Sequence, residues 1–168
     1  MTLADFTGPG LIIPSLQGKA VASVIQELSQ SLQRERRIPD SLSFCHAVLN
    51  RELLVSTEME TGMAFPHARL SGLDALSFAL GRSPEPLGWG ANPAPSVRLV
   101  FLIAVPTTDS TQYLQLISGL AQLAKDSRLV ERLHAAEDSL QVFGVLGQIS
   151  LRGSMMSEPS SRVANGRN

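Results

Sequence analysis

"VRLVFLIAVP", residues 97–106, is an almost unbroken apolar run, rich in β-branched residues and stopped by a proline. It is far too short to span a bilayer and suits a central strand covered on both faces. The segments on either side read as partners for it. "LIIP" (11–14) is a short edge strand or extended entry ended by proline, and "MAF" (63–65) is a very short strand that halts at Pro66. In "ALSFALGR" (75–82) Leu76, Phe78 and Leu80 alternate as in a strand. "SPEPLGWGANPAP" (83–95) is rich in proline and glycine and is expected to be a loop connecting two strands.

Between these strands the period changes to that of helices. Ser15 to Arg37 reads as one long helix, with Val21, Val24, Ile25, Leu28 and Leu32 on one stripe. Asp40 or Ser41 can cap a second helix over about 41–54, with Leu42, Cys45, Val48 and Leu49 on one face. "VSTEMETG" (55–62) is a polar loop. After the central strand, 107–126 carries Leu114, Ile117, Leu120 and Leu123 at helical spacing, and 127–138 and 139–148 read as two short helices. The alternation predicts an α/β single domain over residues 1–150, a mixed and mostly buried sheet flanked by helices on both faces. Residues 151–168 lack an apolar period and are expected to form a flexible C-terminal tail.

Composition narrows the function. Fourteen Lys+Arg against fifteen Asp+Glu imply no basic face, which argues against nucleic acid as a partner. The single cysteine, Cys45, builds neither an internal disulfide nor a cysteine-based metal site, and is expected to pack in its helix as a small hydrophobe. The N-terminus shows no basic and apolar leader, so a cytoplasmic protein, not membrane-embedded, is expected. "LQGKA" (16–20) fails as a phosphate cradle because Ala20 stands where Ser or Thr is needed and Ile13 where glycine is needed. No nucleophile-elbow motif and no His-x-x-x-His or Cys-x-x-Cys metal motif is present. His46 and His134 fall in helices and read as surface or partly buried residues.

His67, in "GMAFPHARL" (62–70), is set apart by its surroundings. Pro66 restricts the approach, Gly62 permits an unusual turn, and a strand-to-loop exit exposes an imidazole. On these residues alone, a structural histidine at a strand end is the better reading. The wider block "VLNRELLVSTEMETGMAFPHARL" (48–70) resembles the active-site block of enzyme IIA domains of the sugar phosphotransferase system, the fructose/mannitol class with its nitrogen-related relatives. The matching pieces are Arg51-Glu52 ending a helix, Ser56-Thr57 in a loop, and Gly62-Met63-Ala64-Phe65-Pro66-His67. The likeness runs on through the C-terminal helices, covering roughly residues 10–148.

The resemblance implies a phosphoryl carrier. His67 would accept phosphate through Nε2 from a histidine-phosphorylated carrier protein. It would pass the group to an enzyme IIB domain or use it as a regulatory signal. Such a phosphotransferase-system component needs no metal or cofactor. Arg51 would stabilise phosphate oxygens with its planar fork, and Pro66 would support the histidine. Ser56 and Thr57 would either donate to a phosphoryl oxygen or cap the loop. Arg69 reads as a surface residue. One departure stands out: the family's second histidine is matched here by Tyr113, which cannot carry an imidazolium charge. That substitution keeps open a binding module that retains the fold without transferring phosphate.

Overall fold

The computed structural model describes residues 1–90, 94–108 and 111–152. After two 3-10 turns (Leu3–Phe6 and Pro9–Leu11) the chain forms β1 (Ile12–Ile13), α1 (Val21–Arg34) and α2 (Ser41–Leu54). Four strands follow: β2 (Glu58–Met59), β3 (Met63–Ala64), β4 (His67–Leu70) and β5 (Ser77–Leu87). Then come β6 (Val97–Pro106), α3 (Thr111–Lys125), α4 (Ser127–Ala135) and α5 (Ser139–Leu146).

The run that opened the sequence reading is the centre of the sheet. β6 pairs antiparallel with β5 on one side and parallel with both β3 and β4 on the other. β1 extends the sheet beyond β5, and β2 beyond β3, giving a mixed six-stranded sheet among the described residues. Side chains alternate along β6. Leu99, Phe101, Ile103 and Val105 join a core made with α3, α4, α5 and the N-terminal turns, while Val100, Leu102 and Ala104 join one made with α1 and α2. Helices therefore cover both faces, as the unbroken apolar run predicts.

Several boundaries differ from the sequence reading. Helix α1 begins at Val21, not Ser15. Leu16 N–H bonds the Arg82 carbonyl at 2.9 Å, and the Gln17 and Gly18 N–H groups donate to the Glu27 carboxylate, so the segment is held extended against β5. The same helix stops at Arg34, three residues early. Arg37 N–H reaches back to the Leu32 carbonyl at 2.8 Å, and Arg36 N–H to that of Gln33, while Arg36 adopts φ +58°. That is a left-handed helix stop formed without glycine. Asp40 is the α2 cap, accepting from Leu42 and Ser43 N–H.

β5 runs on through "SPEPL", which the sequence reading placed in a loop. A register shift between Arg82 and Leu87 lets the strand carry Pro84 and Pro86, because the prolines fall where the ladder is already irregular. The polar loop before His67 contains β2, too short for an alternating pattern to show. Two apolar faces are also redrawn. Leu42 (62% exposed) and Leu114 (66%) point to solvent, and Phe44 and Leu116 take the inward positions. Cys45 is buried in α2 as expected. From the predicted tail, Leu151 packs on the core, its N–H bonding the Met1 carbonyl; residues 153–168 lie outside the described residues. Among the described residues no helix is long and apolar enough to cross a membrane.

Candidate functional site

β3 and β4 are one strand interrupted at Phe65-Pro66. Ala64 pairs with Val100 and His67 with Ile103, an unchanged offset across the gap. Pro66 has no N–H for the ladder, though its carbonyl still accepts from Ile103 N–H at 2.9 Å. His67 therefore does not sit on a strand-to-loop exit, as its sequence context suggests. It opens β4, beside the middle of β6. Gly62, two residues after the end of "EME", has φ +83° and lies so close to the Ser96 carbonyl that an added Cβ would stand 2.9 Å from it. Its own carbonyl accepts from Arg98 N–H, which starts the parallel pairing in this register.

The interruption shapes the site. The carbonyls of Gly62 and Pro66 face β6, so the polar groups of Phe65 face the other way, toward the open edge where β2 has ended. There the Phe65 N–H donates to Thr57 Oγ1 at 3.0 Å, and its carbonyl lies 3.0 Å from His67 Nδ1. A carbonyl only accepts, so Nδ1 carries the proton and Nε2 is left with the lone pair. Burial pushes the imidazole below its ordinary value of 6.5; the Phe65 bond and the Glu52 carboxylate oppose this, and the Arg51 and Arg69 cations push it down further. At neutral pH the ring is a neutral nucleophile.

Beneath Thr57 lies a residue that sequence reasoning quoted but gave no role. Glu52 is only 6% exposed. Its carboxylate accepts from Thr57 N–H (2.8 Å), from Thr57 Oγ1 (2.9 and 3.0 Å) and from Trp89 Nε1 (2.7 Å). The Thr57 hydroxyl proton is thus committed to Glu52 and its lone pair to Phe65. These contacts tie the loop to α2 and to the strand interruption. Ser56 Oγ accepts from Glu58 N–H, again a local turn contact. A glutamate between Arg51 and Leu53 at a helix end gives no sign of burial. The hint was its place on the α2 face with Phe44, Cys45 and Val48.

Arg51 is exposed on the last turn of α2, and among the described residues its guanidinium has no hydrogen bond or ion pair. Tyr113 lies on the first turn of α3, partly buried against the core, its ring centroid 5.9 Å from that of His67 at 42°. Arg69 Cζ stands 5.0 Å above the Tyr113 ring. The structure thus gathers His67, Pro66, Tyr113 and Thr57 around one sheet edge, with Arg51 near enough to shift the imidazole. His46, exposed on α2, and His134 lie outside this group.

Comparison with known proteins gives the family. Residues 5–148 match the family described as "Phosphoenolpyruvate-dependent sugar phosphotransferase system, EIIA 2". The chain belongs to that family. A nitrogen regulatory protein of Bradyrhizobium diazoefficiens is 27% identical to this EIIA 2 chain over 151 residues, covering 87% of it and 95% of the relative. The crystal structure of nitrogen regulatory protein IIA-Ntr from Neisseria meningitidis superposes with a TM-score of 0.73 at 24% identity, covering 86% of this chain and 98% of that one. The complex of enzyme IIA mannitol with phosphorylated enzyme IIB mannitol from Escherichia coli gives 0.67 at 20% identity, covering 83% and 95%. Both superpositions bear out the predicted fold.

The two half-buried imidazoles predict an acid-sensitive EIIA 2 domain. His134 is also pushed below 6.5, by burial first and then by Arg98 and Arg82, and its Nδ1 is buried without a hydrogen-bond partner among the described residues. Both histidines resist protonation when folded, so below about 6.5 the unfolded chain binds more protons than the native one. Their contribution to stability is complete above that value and is lost as pH falls through the lowered native values. Urea midpoints should drop between pH 7.5 and 5.5, and a His134→Asn substitution should flatten the slope. A slope unchanged by the substitution would refute the assignment to His134.

Proposed function

We propose that this protein is a cytoplasmic phosphoryl carrier that takes phosphate on Nε2 of His67 from a histidine-phosphorylated carrier protein. The observation that carries the reading is the Nδ1 contact to the Phe65 carbonyl, which aims an unprotonated Nε2 away from the strand. In the transfer, the Nε2 lone pair attacks phosphorus as the donor's N–P bond breaks, and the donor imidazole leaves with that electron pair. The ring of His67 then carries positive charge shared with Nδ1–H, still donating to Phe65. This makes His67 a good leaving group for the return step, in which a partner's thiolate attacks phosphorus and the N–P electrons return to the ring. Phosphoryl transfer asks mainly for positioning and charge stabilisation, which Arg51 supplies through donors not engaged elsewhere among the described residues.

The partner surface has support in the exposed "LLV" that follows Arg51: Leu53 is 79% exposed, Leu54 84% and Val55 72%. An apolar patch of this kind beside a reacting group suits transient protein docking. The onward acceptor is an enzyme IIB domain or a regulatory target. The Escherichia coli IIA–IIB complex supports the first and the near full-length likeness to a nitrogen regulatory protein supports the second. The assay is incubation with phosphoenolpyruvate, enzyme I and carrier protein, followed by acid and base treatment. Acid-labile, base-stable phosphate is expected, and an Arg51→Ala variant should label about 100-fold more slowly. Absence of any label would favour the second reading, a binding module that keeps the fold, for which Tyr113 in the second-histidine position is the specific observation.

A further inference from the structure

We propose that Arg69, seated on the ring face of Tyr113, is a second phosphate-binding cation of the site, and that Tyr113 acts through its ring and not through its hydroxyl. The inference rests on the reading of His67 as the phosphoryl acceptor.

Strand alternation comes first. His67 and Arg69 are two apart on β4, so both project on the same face, while Ala68 between them joins the opposite core with α1 and α2. On that face stands Tyr113, brought by the first turn of α3, its ring 5.9 Å from the imidazole and 5.0 Å beneath Arg69 Cζ. A guanidinium at this distance is attracted to the electron-rich ring face, and the planar group stacks without using its N–H donors. Among the described residues no carboxylate or carbonyl takes those donors. The Tyr113 hydroxyl likewise has no hydrogen-bond partner there, so no contact aims it at His67.

Charge supplies the need. A phosphoryl group on imidazole carries close to two negative charges, and Arg51 answers only one of them. A second cation on the same face as Nε2, from a different element than Arg51, completes the clamp. Tyr113 has no charge to give, but it restricts an exposed, flexible arginine to the space beside the imidazole. The position that lost a histidine is in this way paired with an arginine two residues beyond the acceptor.

The test is the initial rate at which phosphorylated carrier protein labels the full chain, read by rapid quench. Arg69→Gln should slow labelling roughly tenfold or more, and Arg69→Lys should recover part of that. Tyr113→Leu should slow it to a similar extent, whereas Tyr113→Phe should lose far less. The double variant Arg69→Gln/Tyr113→Leu should be little slower than Arg69→Gln alone, because the two residues act as one unit. A separate readout is the His67 ring titration by NMR in unphosphorylated protein, which should move upward in Arg69→Gln as a neighbouring positive charge is removed. Equal losses in Tyr113→Phe and Tyr113→Leu would overturn the proposal in favour of a hydroxyl role. An Arg69→Gln variant with unchanged rate and titration would overturn it while the relay stands. A wild type that never labels would remove the relay reading instead; the titration then decides, and an unshifted His67 in Arg69→Gln overturns the proposal.

Discussion

A His67→Ala variant is expected to take up no phosphoryl group under conditions where the wild type labels fully, and to remain folded. The first half follows from nucleophile supply. The chain has three histidines, and the other two lack the setting on which the proposal for His67 rests. His46 is exposed on α2, away from the sheet edge, and His134 sits where α4 ends with its Nδ1 buried and without a partner among the described residues. Among the described residues neither has a carbonyl acceptor that fixes the tautomer. The second half follows from packing. His67 is only half-buried and gives one hydrogen bond, so its loss costs on the order of 1 kcal/mol and leaves the β4–β6 ladder intact. Circular dichroism and the urea midpoint check the fold, and mass spectrometry of the labelled chain checks the site. Label that persists in His67→Ala would remove His67 as the acceptor.

Glu52→Ala should be strongly damaging although it leaves His67 itself in place. It strands the buried Trp89 indole N–H and the half-buried Thr57 N–H and frees the Thr57 hydroxyl, which holds the Phe65 N–H. Two orphaned donors at about 1–3 kcal/mol each, plus a cavity, predict a loss of roughly 3–5 kcal/mol in urea unfolding. Labelling of the folded fraction should also slow by at least about tenfold, because the carbonyl that orients the imidazole belongs to the residue whose N–H has been released. Glu52→Gln keeps one acceptor oxygen and should be milder in both measurements. If Glu52→Ala unfolds at the wild-type midpoint, the carboxylate does not hold this loop.

Much of this is legible in the sequence alone. A buried central strand and helical stripes with three- and four-residue spacing report on burial, and burial is what periodicity encodes. The ends of elements were less legible. β5 runs on through Pro84 and Pro86 because a register shift tolerates them, and α1 starts late because Glu27, nine and ten residues on, captures the N–H groups of Gly18 and Gln17. Leu42 and Leu114 fit the helical period yet face water, since one step of the period is shared by neighbours and only packing chooses between them.

For the site the division is sharper. The stretch 48–70 carries by itself the identity of the candidate nucleophile, the arginine before it and the proline that breaks the strand, because local backbone chemistry and a recognisable motif are both one-dimensional. What it does not carry is which groups meet. Glu52 becomes a hub only when α2, the Thr57 loop and Trp89 converge, contacts spanning up to 37 residues of chain. Tyr113 and Arg69 read separately as a lost histidine and a surface cation. They become one unit only because β4 and α3 are laid side by side against β6, and such proximity is a property of the packed sheet, not of any segment in it.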